Sequence, residues 1–176
     1  MNPYFENLPV DVNELPQVSQ LDYLSLDPNS KSVAYISNVI FYAIMFIAVN
    51  IAVFAGGGGF SWWVWTLYGL WLVWFGVGLL LVQKNYELTG YVIRHKDIIF
   101  KTGVIFRHVI TIPFNRIQHV EITEGPVQKL FSLASLKVYT AGGSGSDLVI
   151  SGLYKLEAGR VKEYITGKIQ DSDEEE

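Results

Sequence analysis

The chain has 176 residues, half of them hydrophobic, with no cysteine and a formal net charge of −4. That figure is an average: residues 1–30 carry five acidic and no basic side chains, residues 171–176 carry five more acids, and residues 31–170 sum to +6. The absence of cysteine excludes a disulfide framework, and the absence of a basic stripe interleaved with aromatics argues against nucleic acid as a partner.

The amino-terminal arm, residues 1–32, lacks the basic start of a cleavable signal peptide, so the apolar run after it reads as a retained anchor. Pro3, Pro9, Pro16 and Pro28 break up any long helix and leave an extended acidic arm with scattered apolar residues, among them Leu8, Val10, Val12, Leu15, Leu21 and Leu24. Two readings stand: a solvated leader with partial order at most, or an arm that docks on a basic surface or adds a strand to a sheet edge.

Two apolar runs follow, 33–55 and 60–82, joined by Gly56-Gly57-Gly58-Gly59. Each has 23 residues and neither contains Lys, Arg, Asp, Glu or His. About 20 residues suffice to cross ~30 Å of hydrocarbon. Four glycines can only turn the chain round, which predicts a transmembrane hairpin over 33–82 with both ends of the protein on one side. Lys31 before it and Lys84, Arg94 and Lys96 after it put that side in the cytoplasm. In a bacterium this is a multi-pass protein of the inner membrane.

Within the hairpin, Asn50 reads as glue between helices rather than a transport site, since a lone amide without ionisable company marks no ion path. Trp62, Trp63 and Trp65 suit the outer interface. Trp71 and Trp74 lie near mid-membrane, with Gly69, Gly76 and Gly78 nearby to permit close helix approach. They predict either a filled hairpin seam or contact with another membrane protein, the latter through the Trp71, Trp74 and Gly78 surface.

Residues 83–170 form the soluble domain and 171–176 an acidic tail. Only Gln83, Lys84 and Asn85 separate the second span from a β pattern, which presses the domain against the headgroups. Alternation and turn residues predict strands over 86–89, 91–94, 98–102, 104–112, 117–123, 136–140 and 147–150. Pro126, Val127, Leu130, Phe131 and Leu133 suggest a short helix. Tyr154, Ala158, Val161 and Ile165 form the apolar stripe of a final helix, where Gly159 allows close packing. Seven short antiparallel strands and one helix describe a small barrel or two packed sheets with a helical plug.

The series Ile112-Pro113-Phe114-Asn115-Arg116-Ile117-Gln118-His119, then Glu124-Gly125-Pro126-Val127-Gln128-Lys129-Leu130-Phe131-Ser132-Leu133-Ala134 and Tyr139-Thr140-Ala141-Gly142-Gly143, resembles the bacterial pleckstrin-homology (PH) type 2 family. Tyr86-Glu87-Leu88-Thr89 resembles that family's opening strand, and the helical hairpin is similar to its membrane-anchored form. Pro113, Arg116, Ile117, Gln118, Gly125, Thr140, Gly142 and Gly143 carry the motif. Ser132 stands where the family often has Gly, and Lys129 where it often has Arg. The resemblance implies a PH-like fold of seven strands capped by a carboxy-terminal helix. It supplies no reaction.

Candidates for chemistry are few. His108 and His119 fall on strands expected to be neighbours, and His119-x-Glu121 puts a carboxylate on the same strand face, but no third ligand completes a metal site. The Gly142-Gly143-Ser144-Gly145-Ser146 loop resembles a phosphate cradle, yet a strand rather than a helix follows it, so it reads as a hairpin turn. No catalytic residue, metal or cofactor is expected. The basic residues Arg94, Lys96, Lys101, Arg107, Arg116 and Lys129 are those expected to face membrane lipids or a partner. The resulting expectation is a non-catalytic interaction module that assembles at the cytoplasmic face with anionic lipid, with itself or with another membrane protein such as a larger PH-like family member; the family resemblance alone implies a place in envelope maintenance or stress tolerance. The rival is a subunit of a transport or lipid-handling complex, and an enzyme would require His108, His119 and Glu121 to converge in one pocket.

Overall fold

The computed structural model describes residues 21–57, 61–141 and 145–174. The arm with Leu8, Val10, Val12 and Leu15, the turn glycines Gly58 and Gly59, and Gly142, Gly143 and Ser144 lie outside the described residues.

Two helices dominate the amino-terminal half: α1, Pro28–Ala55, and α2, Trp62–Leu88. Asp27 starts α1, its carboxylate accepting the Asn29 amide at 2.8 Å with Pro28 in the first helical position. Both helices are long and apolar enough to cross a membrane, and both leave most of their side chains uncovered. They pack as an antiparallel pair around Tyr42, whose ring meets Trp74 edge-on at 4.8 Å and Phe75 at 5.3 Å and whose hydroxyl donates to the Trp74 carbonyl at 3.3 Å. Nearer the turn, Asn50 accepts the Tyr68 hydroxyl at 2.7 Å and donates to the Phe46 carbonyl at 2.8 Å, so it joins the two helices.

Gly78 is buried beneath Tyr42: a Cβ there would stand 2.5 Å from the Tyr42 hydroxyl and 2.9 Å from its ring. This corrects the expectation that Gly78 belongs to an open surface for a second protein, because the hairpin's own aromatic ring fills that place. At Gly69 and Gly76 a Cβ would meet nothing within 4 Å, so neither is needed for close approach.

The domain consists of β1 (Leu24–Ser25), β2 (Gly90–Ile93), β3 (Asp97–Thr102), β4 (His108–Pro113), β5 (Ile117–Thr123), α3 (Pro126–Leu130), β6 (Leu133–Thr140), β7 (Leu148–Tyr154) and α4 (Lys155–Glu174). Antiparallel strands form one sheet in the order β1-β2-β3-β4 and a second in the order β5-β6-β7. Their inner faces supply the core, with Tyr91, Ile98, Ile112, Leu136, Val138, Leu148 and Ile150, and α4 covers it with Ala158, Val161 and Ile165. Tyr91 is buried and its hydroxyl donates to Glu157 on α4; burial, and then that carboxylate, push its pKa well up.

Several expectations need correcting. Residues 83–88 are helix rather than linker and strand: α2 runs unbroken until Thr89, because elongating an existing helix adds one bond per residue and no Gly or Pro lies between Gly78 and Gly90. The place in the sheet expected for 86–89 is taken by β1, in which Leu24 pairs with Tyr91 and Ser25 with Gly90. The membrane hairpin is thus inserted between the first and second strands of a sheet. Finally, β4 begins at His108 instead of residue 104, and Tyr154 ends β7 instead of opening the final helix. Gly159 has no close neighbour and does not mediate packing.

The hairpin and the domain are joined on both sides. The Asp27 amide donates to the Gly152 carbonyl at 3.1 Å, and Leu26 enters the domain core. Gly152 lies at a bulge in β7 with φ 87°, and a Cβ there would stand 2.5 Å from the Ser30 side chain of α1. Only glycine admits both that conformation and that approach. The Tyr86 hydroxyl, on α2, donates to the Leu26 carbonyl at 3.2 Å.

Ser132 adopts φ 54°, the single left-handed non-glycine position among the described residues, just before β6. Ser132→Gly is therefore expected to raise stability by about 0.5–1 kcal/mol, read from thermal unfolding in detergent. Gly78→Ala and Tyr42→Ala should each destabilise the hairpin, and the double variant should lose less than their sum. A coupling energy of about 0.5–3 kcal/mol in a double-mutant cycle is the expected result, and strict additivity would show the two residues not to pack.

Candidate membrane-facing site

The strands fix which end of the domain meets the bilayer. β2 begins directly after α2, β3 is antiparallel to it with Lys101 opposite Gly90, and the Thr102 hydroxyl lies 3.0 Å from that of Thr89. The β3–β4 loop, residues 103–107, therefore emerges beside the end of α2. The start of β6, α3 and the start of α4 share this end, since α3 packs against α1 and the Lys155 amide donates to the Ser132 carbonyl at 2.9 Å. The β2–β3 turn, the three-residue helical turn Phe114–Arg116 and the loop before β7 occupy the opposite end, a strand length away, or about 20 Å for six residues.

This divides the six expected basic residues. Lys101, Arg107 and Lys129 belong to the membrane-proximal end. Lys101 lies over the Tyr23 ring at 5.3 Å, while Arg107 and Lys129 are exposed and form no ion pair among the described residues. Arg94, Lys96 and Arg116 sit at the far end. Arg94 is held by Asp97, its Nε donating at 2.6 Å. That end is open to solvent or protein, not to the leaflet that α1 and α2 enter.

The motif residues gather at the turns. Gly125 caps α3 and donates its amide to the Gln128 side chain at 2.9 Å. Pro113 ends β4, Ile117 is buried and Gln118 is exposed. The Arg116 carbonyl accepts the Ala141 amide at 3.2 Å, and Thr140 donates from its hydroxyl at 2.6 Å and its amide at 2.9 Å to Asp147. These two bonds hold the Asp147 carboxyl below the usual carboxylate range.

His108 and His119 are not neighbours, because β4 and β5 belong to different sheets. His119 stacks on Tyr139 at 4.2 Å, and Glu121 accepts the Tyr139 hydroxyl at 2.9 Å, which raises the Tyr139 pKa. Histidine and carboxylate are engaged separately by the same tyrosine, and no proton relay links them to His108.

A cleft of about 250 Å3 lies where α1 and α2 meet the domain, walled by Leu26, Val33, Val82 and Phe100, with Lys31, Ser30, Gln128 and Ser151 at its polar side. The Ser30 hydroxyl is buried without a hydrogen-bond partner among the described residues. The cleft holds no acid–base pair, and its hydroxyls suit water or a polar headgroup.

Reading the sequence for charge missed an apolar feature of the same end. Ile105 and Phe106 are each 76% exposed in the β3–β4 loop and Leu130 is 81% exposed on α3. The uninterrupted triplet Val104-Ile105-Phe106 after Gly103 was the available signal, but it reads equally well as the start of a strand.

Comparison with known proteins adds the family. The chain is 25% identical over 153 residues to the UPF0699 transmembrane protein YdbS of Bacillus subtilis, covering 84% of this chain and 94% of that protein. It is 27% identical over 77 residues to the UPF0699 transmembrane protein YdbT of the same organism, covering 43% of this chain and 15% of that larger protein. No solved structure matches. The model of the bacterial PH domain family matches residues 31–169, across most of the hairpin, β2 to β7 and most of α4, and the chain belongs to that family.

Proposed function

We propose that the protein is a non-catalytic, membrane-anchored interaction module at the cytoplasmic face of a bacterial inner membrane, where its PH-like domain assembles with another membrane protein. The observation that carries this reading is the edge formed by β4. It closes its sheet, pairs with β3 on one side only, and keeps His108, Val109 and Thr111 exposed along six residues. An unpaired edge of this length accepts an added strand. Because the domain is fixed to the hairpin at Gly152 and at Thr89, the edge is held at a constant height above the bilayer, which favours a partner in the same membrane. The similarity to part of the larger YdbT makes a longer PH-like protein the first partner to seek. The transport-subunit reading leaned on Trp71 and Trp74, and both pack against Tyr42 within the hairpin.

Orientation and partnership are tested separately. Reporters fused at the carboxyl terminus and before Asn2 are expected to read cytoplasmic, and one inserted between Gly56 and Gly57 external; an external terminus would reverse the assignment. Purification in gentle detergent should recover a stoichiometric membrane protein, and Val109→Lys with Thr111→Lys should reduce that recovery several-fold while leaving thermal unfolding unchanged. A chain that runs as a monomer with nothing bound, or a partner indifferent to both lysines, would refute the β4 reading.

A further inference from the structure

Among the described residues of the domain, every large apolar side chain more than half exposed lies toward the end where the helices enter: Leu24, Ile105, Phe106, Leu130 and Leu156. A soluble face would scatter such residues over its surface, whereas one-sided clustering marks a surface that is covered in use. We propose that the β3–β4 loop, with Ile105 and Phe106 at its tip, and Leu130 on α3 insert into the leaflet from which the hairpin emerges, with Arg107 and Lys129 seated on anionic phospholipid headgroups.

Depth supports this. α2 has 27 residues, about 40 Å of helix, of which about 20 residues cover the hydrocarbon from the outer tryptophans to Val82. Residues 83–88 add about 9 Å, close to the thickness of a headgroup layer. The domain floor therefore lies within or against the headgroups. Thr102 is hydrogen-bonded to Thr89 at the top of that segment, so the loop of residues 103–107 starts at this floor. Gly103 gives the loop its shape: its φ is 107°, and a Cβ there would stand 1.8 Å from the Phe106 carbonyl oxygen, so the turn closes tightly and presents residues 105 and 106 outward.

Charge selects the lipid. Arg107 adjoins the loop tip and Lys129 adjoins Leu130, each next to an exposed apolar side chain and each without an ion pair among the described residues. Lys84 and Lys155, by contrast, are paired with Glu87 at 3.2 Å and Glu124 at 2.7 Å. An apolar tip flanked by unpaired cations matches the boundary between acyl chains and phosphates. The leaflet is continuous with the membrane that the hairpin already crosses, so no separate recruitment step is needed. Tethering also means that the contact need not be strong; it fixes the tilt of the domain and the height at which β4 meets a partner.

The inference relies on the proposed function only for the anionic character of that leaflet, and its test does not depend on orientation or on any partner. The full chain has no cysteine, so Ile105→Cys, Phe106→Cys and, as a reference at the far end, Asn115→Cys can each carry one nitroxide label. Each variant is placed at one copy per nanodisc of phosphatidylcholine, with or without phosphatidylglycerol. With phosphatidylglycerol, labels at 105 and 106 should collide with oxygen relative to a water-soluble nickel chelate several-fold more than the label at 115. That excess should fall when phosphatidylglycerol is omitted, and independently when Arg107→Glu and Lys129→Glu are introduced. Equal ratios at all three positions would overturn the insertion. An excess unchanged by both lipid composition and charge reversal would overturn the role of anionic lipid, and protection appearing only with two copies per disc would assign the surface to a second chain.

Discussion

The architecture depends on one contact, the approach of the first turn of α1 to the bulge of β7. The Asp27 amide reaches the Gly152 carbonyl, and Ser30 occupies the space that any Cβ at Gly152 would need. A single turn of helix thus starts a membrane span and closes a soluble core, since Leu26, one residue earlier, is part of that core. The second span leaves no slack either, because α2 passes into β2 through Thr89 alone. With one helix clamped and the other continuous, the domain cannot swing on a linker. Its surfaces have fixed relations to the bilayer plane.

That constraint gives the two ends of the domain different physical circumstances. At the proximal end, exposed apolar side chains and cations without ion pairs among the described residues lie on the side from which α1 and α2 leave the domain, where we propose that lipid covers them. At the distal end, Arg94 is matched by Asp97 and Thr140 by Asp147, so turns are closed by local polar bonds, as surfaces in water usually are. The β4 edge runs between the two. A strand edge held at fixed height suits a partner embedded in the same membrane, because both searchers are confined to one plane and one orientation.

Inside the bilayer the hairpin is held by aromatic packing and by few polar bonds. Tyr42 fits over Gly78, Asn50 bridges to Tyr68, and Trp71 stacks on Phe75 at 5.4 Å. Without a hydrophobic force between helices in lipid, such shape-matched contacts and the occasional hydrogen bond must supply the association. They are made within the chain, while the Trp71 indole Nε1 and the Asn38 amide oxygen are buried without a hydrogen-bond partner among the described residues.

Much of this is legible in the amino-acid sequence. Charge-free runs of 23 residues determined the hairpin, because hydrocarbon thickness admits few other readings. Period-two alternation marked β2, β3 and β5, the helical spacing of Ala158, Val161 and Ile165 marked the core positions of α4, and Gly125-Pro126 marked the start of α3. A family position usually occupied by Gly pointed to Ser132, whose left-handed φ explains that preference. Only the tertiary structure decided the rest. Two residues, Leu24 and Ser25, are too few to carry a periodic signal, and their identity as a strand comes from Tyr91 and Gly90, distant in sequence. The extension of α2 through Leu88 depended on propagation from the membrane span, which overrode the local β pattern of residues 86–89. Basic residues that look equivalent along the chain were sorted into a hairpin-side and a far-side set by strand direction and, for Lys129, by the packing of α3 against α1. Val104-Ile105-Phe106 could be strand or exposed tip, and the decision lay in the positive φ of Gly103, a backbone state set by closure of the hairpin and not by any pattern in the side chains.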